Sequence, residues 1–434
     1  LARLGLAEHV VAAFSDEFIG GMAGADSHSR RLGDVGANAP AGWDWGGTPD
    51  DAPHLLVMLF ARPDGLAAWE ASVKDGLWPT AFRVQRRLDT YDMGEIEPFG
   101  FADGLSQPRL DWRRGLDVDT HSRAGYANLL ALGEVLLGYP NEYGQYTQRP
   151  LLDAAEPAAA DLPPAEDQPA KRDLGRNGSY LVFRQLHQDV RGFWQFLDRQ
   201  AGGRAEEREM LGAAMVGRTR AGIPLVPPVA QNIVGTGPAP ADIAANRFTY
   251  DADPEGVHCP LGAHIRRSNP RTGDLPAGVT GLLSRLLRIL GFVRPSIRTD
   301  TVASTRFHRL LRRGREYGVH IEPEDAVRAG PADEPATGLH FICLVANIAR
   351  QFEFVQNAWT VSSKFSGLSG EADPLLGARE PLLHGESTDG FTIPQENGAP
   401  RCIAGLPRFV TVRGGGYFFL PGIRALRYIA GQPR

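Results

Sequence analysis

Cysteine is scarce in this chain, and the scarcity removes whole classes of chemistry. The three residues, Cys259, Cys343 and Cys402, are odd in number and far apart. They form no Cys-x-x-Cys pair of the kind that holds zinc or an iron–sulfur cluster, and they support no disulfide framework. Long apolar runs are missing too: no stretch reaches the roughly 18 uninterrupted apolar residues of a membrane span. Nor is one sign of charge in great excess. A net charge of −5 over 434 residues gives no global pull toward nucleic acid, so small molecules are the expected partners. Residues 1–13 lack the basic start, apolar middle and small-residue cleavage site of a secretory signal, which slightly favours the cytoplasm. The chain starts with Leu1 rather than methionine, so a natural N-terminus is expected upstream and the compartment stays open.

What is present is enough apolar material, 42% of residues, for two domains with sizeable cores. Residues 54–61 form an apolar run of strand length, and 65–74 carry apolar residues at helical spacing. The same strand-then-helix order recurs at 179–183 and 189–197, where Val190, Phe193, Trp194 and Leu197 share one helical face. Near the end, 409–412 and 417–420 flank a glycine run and read as a hairpin, followed by a short helix over 423–429. Cys343 sits in the apolar run 339–345, a buried strand. No Gly-x-Gly-x-x-Gly follows a strand, so the pattern points to α+β with antiparallel pairing rather than a dinucleotide-binding sheet. Residues 1–152 are expected to form one domain, 153–175 an alanine-, proline- and acid-rich loop or linker, and 176–434 a second domain. Residues 280–293 make a basic amphipathic stretch, read as a helix packed on its own domain or a docking surface.

Two segments carry chemistry. In Gly100-Phe101-Ala102-Asp103-Gly104, glycines bracket one carboxylate, which suits a tight turn that presents a proton shuttle. Asp-Gly is also the commonest turn dipeptide, so alone the segment reads first as a turn. Far downstream, Gly262-Ala263-His264-Ile265-Arg266-Arg267 sets an imidazole among small and apolar residues and follows it with guanidinium groups. An imidazole so placed suits a haem iron, with basic side chains ready for the haem propionates. His258, six residues earlier, is the rival ligand.

These segments, with Leu311-Arg312-Arg313-Gly314-Arg315-Glu316-Tyr317-Gly318, occur in the order of the hallmark motifs of the dye-decolorizing peroxidases, which the chain resembles from end to end. Asn141-Glu142-Tyr143-Gly144, Arg350-Gln351-Phe352-Glu353-Phe354 and Arg413-Gly414-Gly415-Gly416-Tyr417 extend the likeness. The resemblance implies two ferredoxin-like α+β domains, antiparallel sheets covered by helices, and haem b held mainly by the C-terminal domain. It implies a peroxidase that reduces hydrogen peroxide and oxidises dyes, phenolics or other small aromatic reductants in one-electron steps through an oxoferryl intermediate. A haem-binding or haem-handling protein with incidental turnover is the alternative. A homo-oligomer is compatible with either.

The resemblance also assigns roles. His264 is the proximal ligand, with Asp373 its expected hydrogen-bond acceptor, although an acid before Pro374 also suits a turn cap. Asp103 and Arg312 form the distal pair, Arg312 being preferred to Arg313 as the first arginine of the motif. Glu316 stands where relatives often carry proline. Leu339 and Phe341 are expected to line the pocket, Arg266 and Asn269 to meet the propionates with Arg350 a weaker partner, and Tyr317 and Trp359 to relay electrons.

Overall fold

The computed structural model describes residues 5–115, 128–226, 245–246, 248–271, 305–379 and 387–431. The expected amphipathic stretch at 280–293 lies outside the described residues.

The core is one antiparallel sheet. Its strands are β5 (Ser179–Gln188), β6 (Leu311–Arg312), β7 (Arg315–Tyr317), β8 (Gly338–Val345) and β11 (Val410–Leu420), in the order β11-β5-β8, with β6 and β7 both on the outer edge of β8. Short strands pair elsewhere: β1 (Arg109–Asp111) with β2 (Leu129–Ala131), β3 (Leu151–Asp153) with β4 (Lys171–Asp173), and β9 (Phe391–Ile393) with β10 (Arg401–Ile403). With helices over these sheets the fold is α+β, as expected.

The central strand β5 is buried almost throughout, which its run Tyr180-Leu181-Val182-Phe183 allows on both faces. The helix Val190–Gln200 follows at once, begun by Asp189, whose side chain accepts from Gly192 N at 2.8 Å. It buries Phe193, Trp194 and Leu197 completely, and an aromatic of that size contributes about 1.5–3 kcal/mol on burial. Trp194 Nε1 donates to Phe99 O at 3.0 Å, and its ring stacks on Phe101 at 6.1 Å. The helix thereby grips both flanks of the segment that leads to Asp103.

Three local expectations change. Residues 409–420 are not a hairpin: β11 runs straight through the glycines, pairing with β5 from Val410 to Leu420 with a register shift at 412–414. The glycines provide clearance rather than a turn. A Cβ on Gly414 would stand 2.4 Å from Trp45 Nε1, so the Trp45 segment seats directly on the strand. Residues 54–61 form no strand, and Leu55 and Phe60 stay exposed. Within 153–175, Ala159 and Leu162 are buried and Lys171–Asp173 pairs with β3, so this segment is packed rather than loose. The helices Leu66–Val73 and Ile423–Ala430 form where periodicity places them.

Candidate active site

A cavity opens beside the sheet, with an empty volume of about 1420 Å³ that includes the open solvent at its mouth. Asp103, Arg312 and His264 line it among Leu339, Phe341, Phe352 and Val355.

The first pair comes from the glycine-bracketed turn and the sheet edge. Gly100 and Gly104 both have left-handed backbone, φ 93° and 77°, which a residue with a side chain would adopt only under strain. The turn between them projects Asp103, and Arg312 meets it from β6, Nη1 to Oδ1 at 2.9 Å. Strand pairing opposite Cys343 and a bond from Arg312 N to Gln107 Oε1 at 3.0 Å hold the arginine. Arg313 is exposed and turns its Nη1 back onto Arg312 O, so it makes no such pair. Burial alone would raise the Asp103 carboxyl; the Arg312 charge and the Gly104 N–H outweigh it and hold the group below the usual aspartate value. Asp103 is about a quarter exposed, so a proton can reach and leave it.

The second pair is enclosed on its acid side only: His264 lines the cavity with about a quarter of its side chain exposed, and Asp373 lies behind it. His264 starts the short helix His264–Ser268, and its Nδ1 lies 2.9 Å from Asp373 Oδ2. The other oxygen of Asp373 accepts from Leu375 N and Leu376 N, both at 2.9 Å, so this acid caps its turn and orients the imidazole at once. Burial would lower the His264 pKa, but the Asp373 charge and hydrogen bond raise it. Asp373 has no exposure, and its partners keep it ionised despite burial. Arg267, also fully buried, staples the helix to Trp359 O, Ser362 O and Glu371 O. With Nδ1 engaged, Nε2 is the nitrogen left to meet a ligand.

The remaining expected residues divide. Leu339 and Phe341, alternating on β8, line the cavity, and so does Asn269. Arg266 does not: its guanidinium is held by Asp253 and Cys259 O and lies over the Tyr250 ring. Arg350 is likewise away from the cavity, paired with Glu134 at 2.7 Å. His258 is exposed and remote from the wall. Tyr317 is half-buried, its ring stacked on His340 at 4.6 Å, and burial pushes its phenol up to about 12. Trp359, also half-buried, stands edge-on to Phe354 and His308, both at 5.3 Å.

Three functional candidates were not singled out in the sequence. Arg309 lines the cavity, donates to Asn269 Oδ1 at 3.1 Å, and has its pKa lowered to about 9, first by burial and then by Arg271, Arg312 and Arg306. Gln107 holds Arg312, as above. Glu97 lines the cavity and accepts from Phe99 N and Phe101 N at 3.0 Å and from Gln188 Nε2 at 2.8 Å. The spacing Arg309-Leu310-Leu311-Arg312, within a basic segment, was the available signal for the arginine.

A haem suits these residues. The imidazole offers one free nitrogen, the midsection is apolar, and a wall crowded with arginines calls for an anion such as a propionate. Asn269 Nδ2 is buried at that wall with no hydrogen-bond partner, a donor suited to a carboxylate.

No family model matches the chain. Among curated proteins, it is 30% identical over 422 residues to the multifunctional dye peroxidase DyP2 of Amycolatopsis sp., covering 93% of this chain and 76% of that protein. It is 27% identical over 353 residues to the dye-decolorizing peroxidase AauDyP1 of Auricularia auricula-judae, covering 76% of this chain but 55% of that one. Among solved structures, a DyP-type peroxidase of Anabaena sp. superposes with a TM-score of 0.62 at 20% identity, covering 99% of this chain and 77% of the other. AauDyP in complex with imidazole gives 0.63 at 21%, covering 99% and 84%. Likeness at 30% identity over nearly the full length, carried on the same fold, means that the chain belongs to the dye-decolorizing peroxidases, oxidoreductases that act on peroxide.

Proposed function

We propose that this protein binds haem b through His264 and reduces hydrogen peroxide with Asp103 and Arg312, drawing electrons singly from dyes, phenolics or related aromatics. The observation that carries the reading is that Asp103 and Arg312, in contact at 2.9 Å, line the same cavity as His264, whose Nδ1 is held by Asp373 from behind. Bound here, haem supplies the iron that takes up peroxide and passes on the oxidising equivalents.

The protein's own groups divide the rest. Asp373 fixes the imidazole tautomer, so that Nε2 faces the metal, and its charge strengthens the nitrogen as a donor. Arg309 and Asn269 hold the propionates. Asp103, ionised at neutral pH, takes a proton from the incoming peroxide and returns it to the departing oxygen. Arg312 keeps Asp103 ionised and sets a positive charge where negative charge develops. Leu339 and Phe341 narrow the chamber to peroxide and water. Bulky reductants then give up electrons outside it, at Tyr317 or Trp359. A haem-handling role has no use for the carboxylate–guanidinium pair. Among the described residues no helix is long and apolar enough to cross a membrane.

An absorption spectrum tests the reading: a Soret band in the purified protein that shifts on one equivalent of peroxide, and that His264→Ala removes. A His264→Ala protein that keeps its full Soret band contradicts the ligand assignment.

A further inference from the structure

Tyr417 has the surroundings of an internal redox site. It lies on β11 and is 7% exposed, on a buried part of the sheet. Its hydroxyl donates to Glu353 Oε1 at 2.8 Å, and the same oxygen stands 2.5 Å from His28 Nε2. Its ring meets Phe352 edge-on, centroids 6.2 Å apart at 74°, and Phe352 lines the cavity. The phenol is therefore one aromatic ring from the place where haem would bind. Arg184, paired with Asp34, faces the same cluster.

The chemistry of a buried phenol limits what such a group can do. Burial and the Glu353 charge hold its ionisation well above the usual value, so no phenolate forms by simple deprotonation. Loss of an electron alone would leave a strongly acidic phenol cation in a poorly solvated place. The electron can leave only if the proton leaves with it, and a carboxylate oxygen in hydrogen-bond contact is the acceptor such a step requires.

We propose that Tyr417 is a redox site that passes one electron through Phe352 to the peroxide-oxidised haem and its hydroxyl proton to Glu353. The inference rests on the peroxidase reading above. In the step, the Tyr417 O–H bond breaks, an O–H bond forms on Glu353 Oε1, and the electron reduces the haem by one equivalent, leaving a neutral tyrosyl. The reverse transfer, with an electron from the external aromatic reductant and the proton returned by Glu353, restores the phenol. Tyr317 and Trp359 are half-buried and open to a dye; Tyr417 is not. It stores an oxidising equivalent rather than delivering it to a dye directly.

Freeze-quenched electron paramagnetic resonance tests this on the haem-loaded chain mixed with one equivalent of peroxide, with ring-deuterated tyrosine to identify a tyrosyl signal by its narrowing. The signal should persist in Tyr317→Phe and fall to background in Tyr417→Phe. Glu353→Gln, which keeps the shape but removes the proton acceptor, should also lose it while the Soret shift with peroxide remains. A normal Soret shift with an undiminished tyrosyl signal in Tyr417→Phe or Glu353→Gln overturns the role of Tyr417, as does a wild-type protein that shifts without any tyrosyl signal. If peroxide produces no optical change at all, the peroxidase reading fails and the tyrosine's role fails with it. Should Tyr417→Phe lose its haem, Glu353→Gln decides the matter.

Discussion

The two pairs at the cavity, one lining it and one reaching it through His264 alone, are nearly the same object in two environments. Each is an aspartate 2.9 Å from a basic nitrogen, Asp103 on Arg312 and Asp373 on His264. Asp103 is about a quarter exposed, whereas Asp373 is fully enclosed and spends its second oxygen on two backbone N–H groups. An acid with a free approach and a fixed cation can exchange protons; an acid with no exposure and both oxygens engaged orients its partner instead. Burial and second contacts, more than residue type, separate the proposed proton carrier from the proposed positioning group.

The largest break in that comparison removes the fixed cation. Arg312→Leu should slow the stopped-flow reaction with peroxide by about 100–1000-fold, since it loses the charge that meets the departing oxygen. It should also move the acid limb. The Asp103 pKa is held below 3.8, so the ionised form prevails at neutral pH and is lost only as pH falls through that lowered value. Without Arg312, burial is left to dominate, and the loss should set in at higher pH. An acid limb that stays in place contradicts the assignment of the lowered pKa to Arg312.

Asp373→Asn touches the other pair. It should keep the fold and weaken haem retention by about 10–100-fold, because the imidazole loses its anchor. Haem titration of the apoprotein measures it.

The smallest expected effect concerns Glu97, which lies under the Asp103 turn. Burial, opposed by the Phe99, Gln188 and Phe101 bonds, raises its carboxyl to about 7. A raised pKa means that the folded state binds the proton more tightly, so its share of stability is present below the ordinary glutamate value and is lost as pH rises through about 7. Thermal melts from pH 5 to 8 should decline less steeply in Glu97→Gln, by an amount on the order of 1–3 kcal/mol. An unchanged slope shows that Glu97 titrates elsewhere.

Legibility in the sequence followed the same division. Asp103 and His264 stand out because glycine turns and isolated imidazoles leave local marks, and the helix Val190–Gln200 because a helical face is a local pattern. The run 54–61 misled, because strand formation depends on a partner that local composition does not record. The glycines of 414–416 misled for a related reason: their purpose is the approach of Trp45, a residue far away in sequence. Arg309 stayed hidden beside Arg312, and Arg266 was preferred for its closeness to His264 in sequence. In space its guanidinium is spent on Asp253 and the carbonyl of Cys259.

The proton-carrying role of Asp103 is tested most directly by the stopped-flow rate of peroxide reaction in haem-loaded Asp103→Asn. The Soret band of the resting protein should be unchanged, and the rate constant should fall by about 100–10,000-fold, the span of one positioned proton-transfer group. A rate equal to wild type, with haem fully bound, would contradict it.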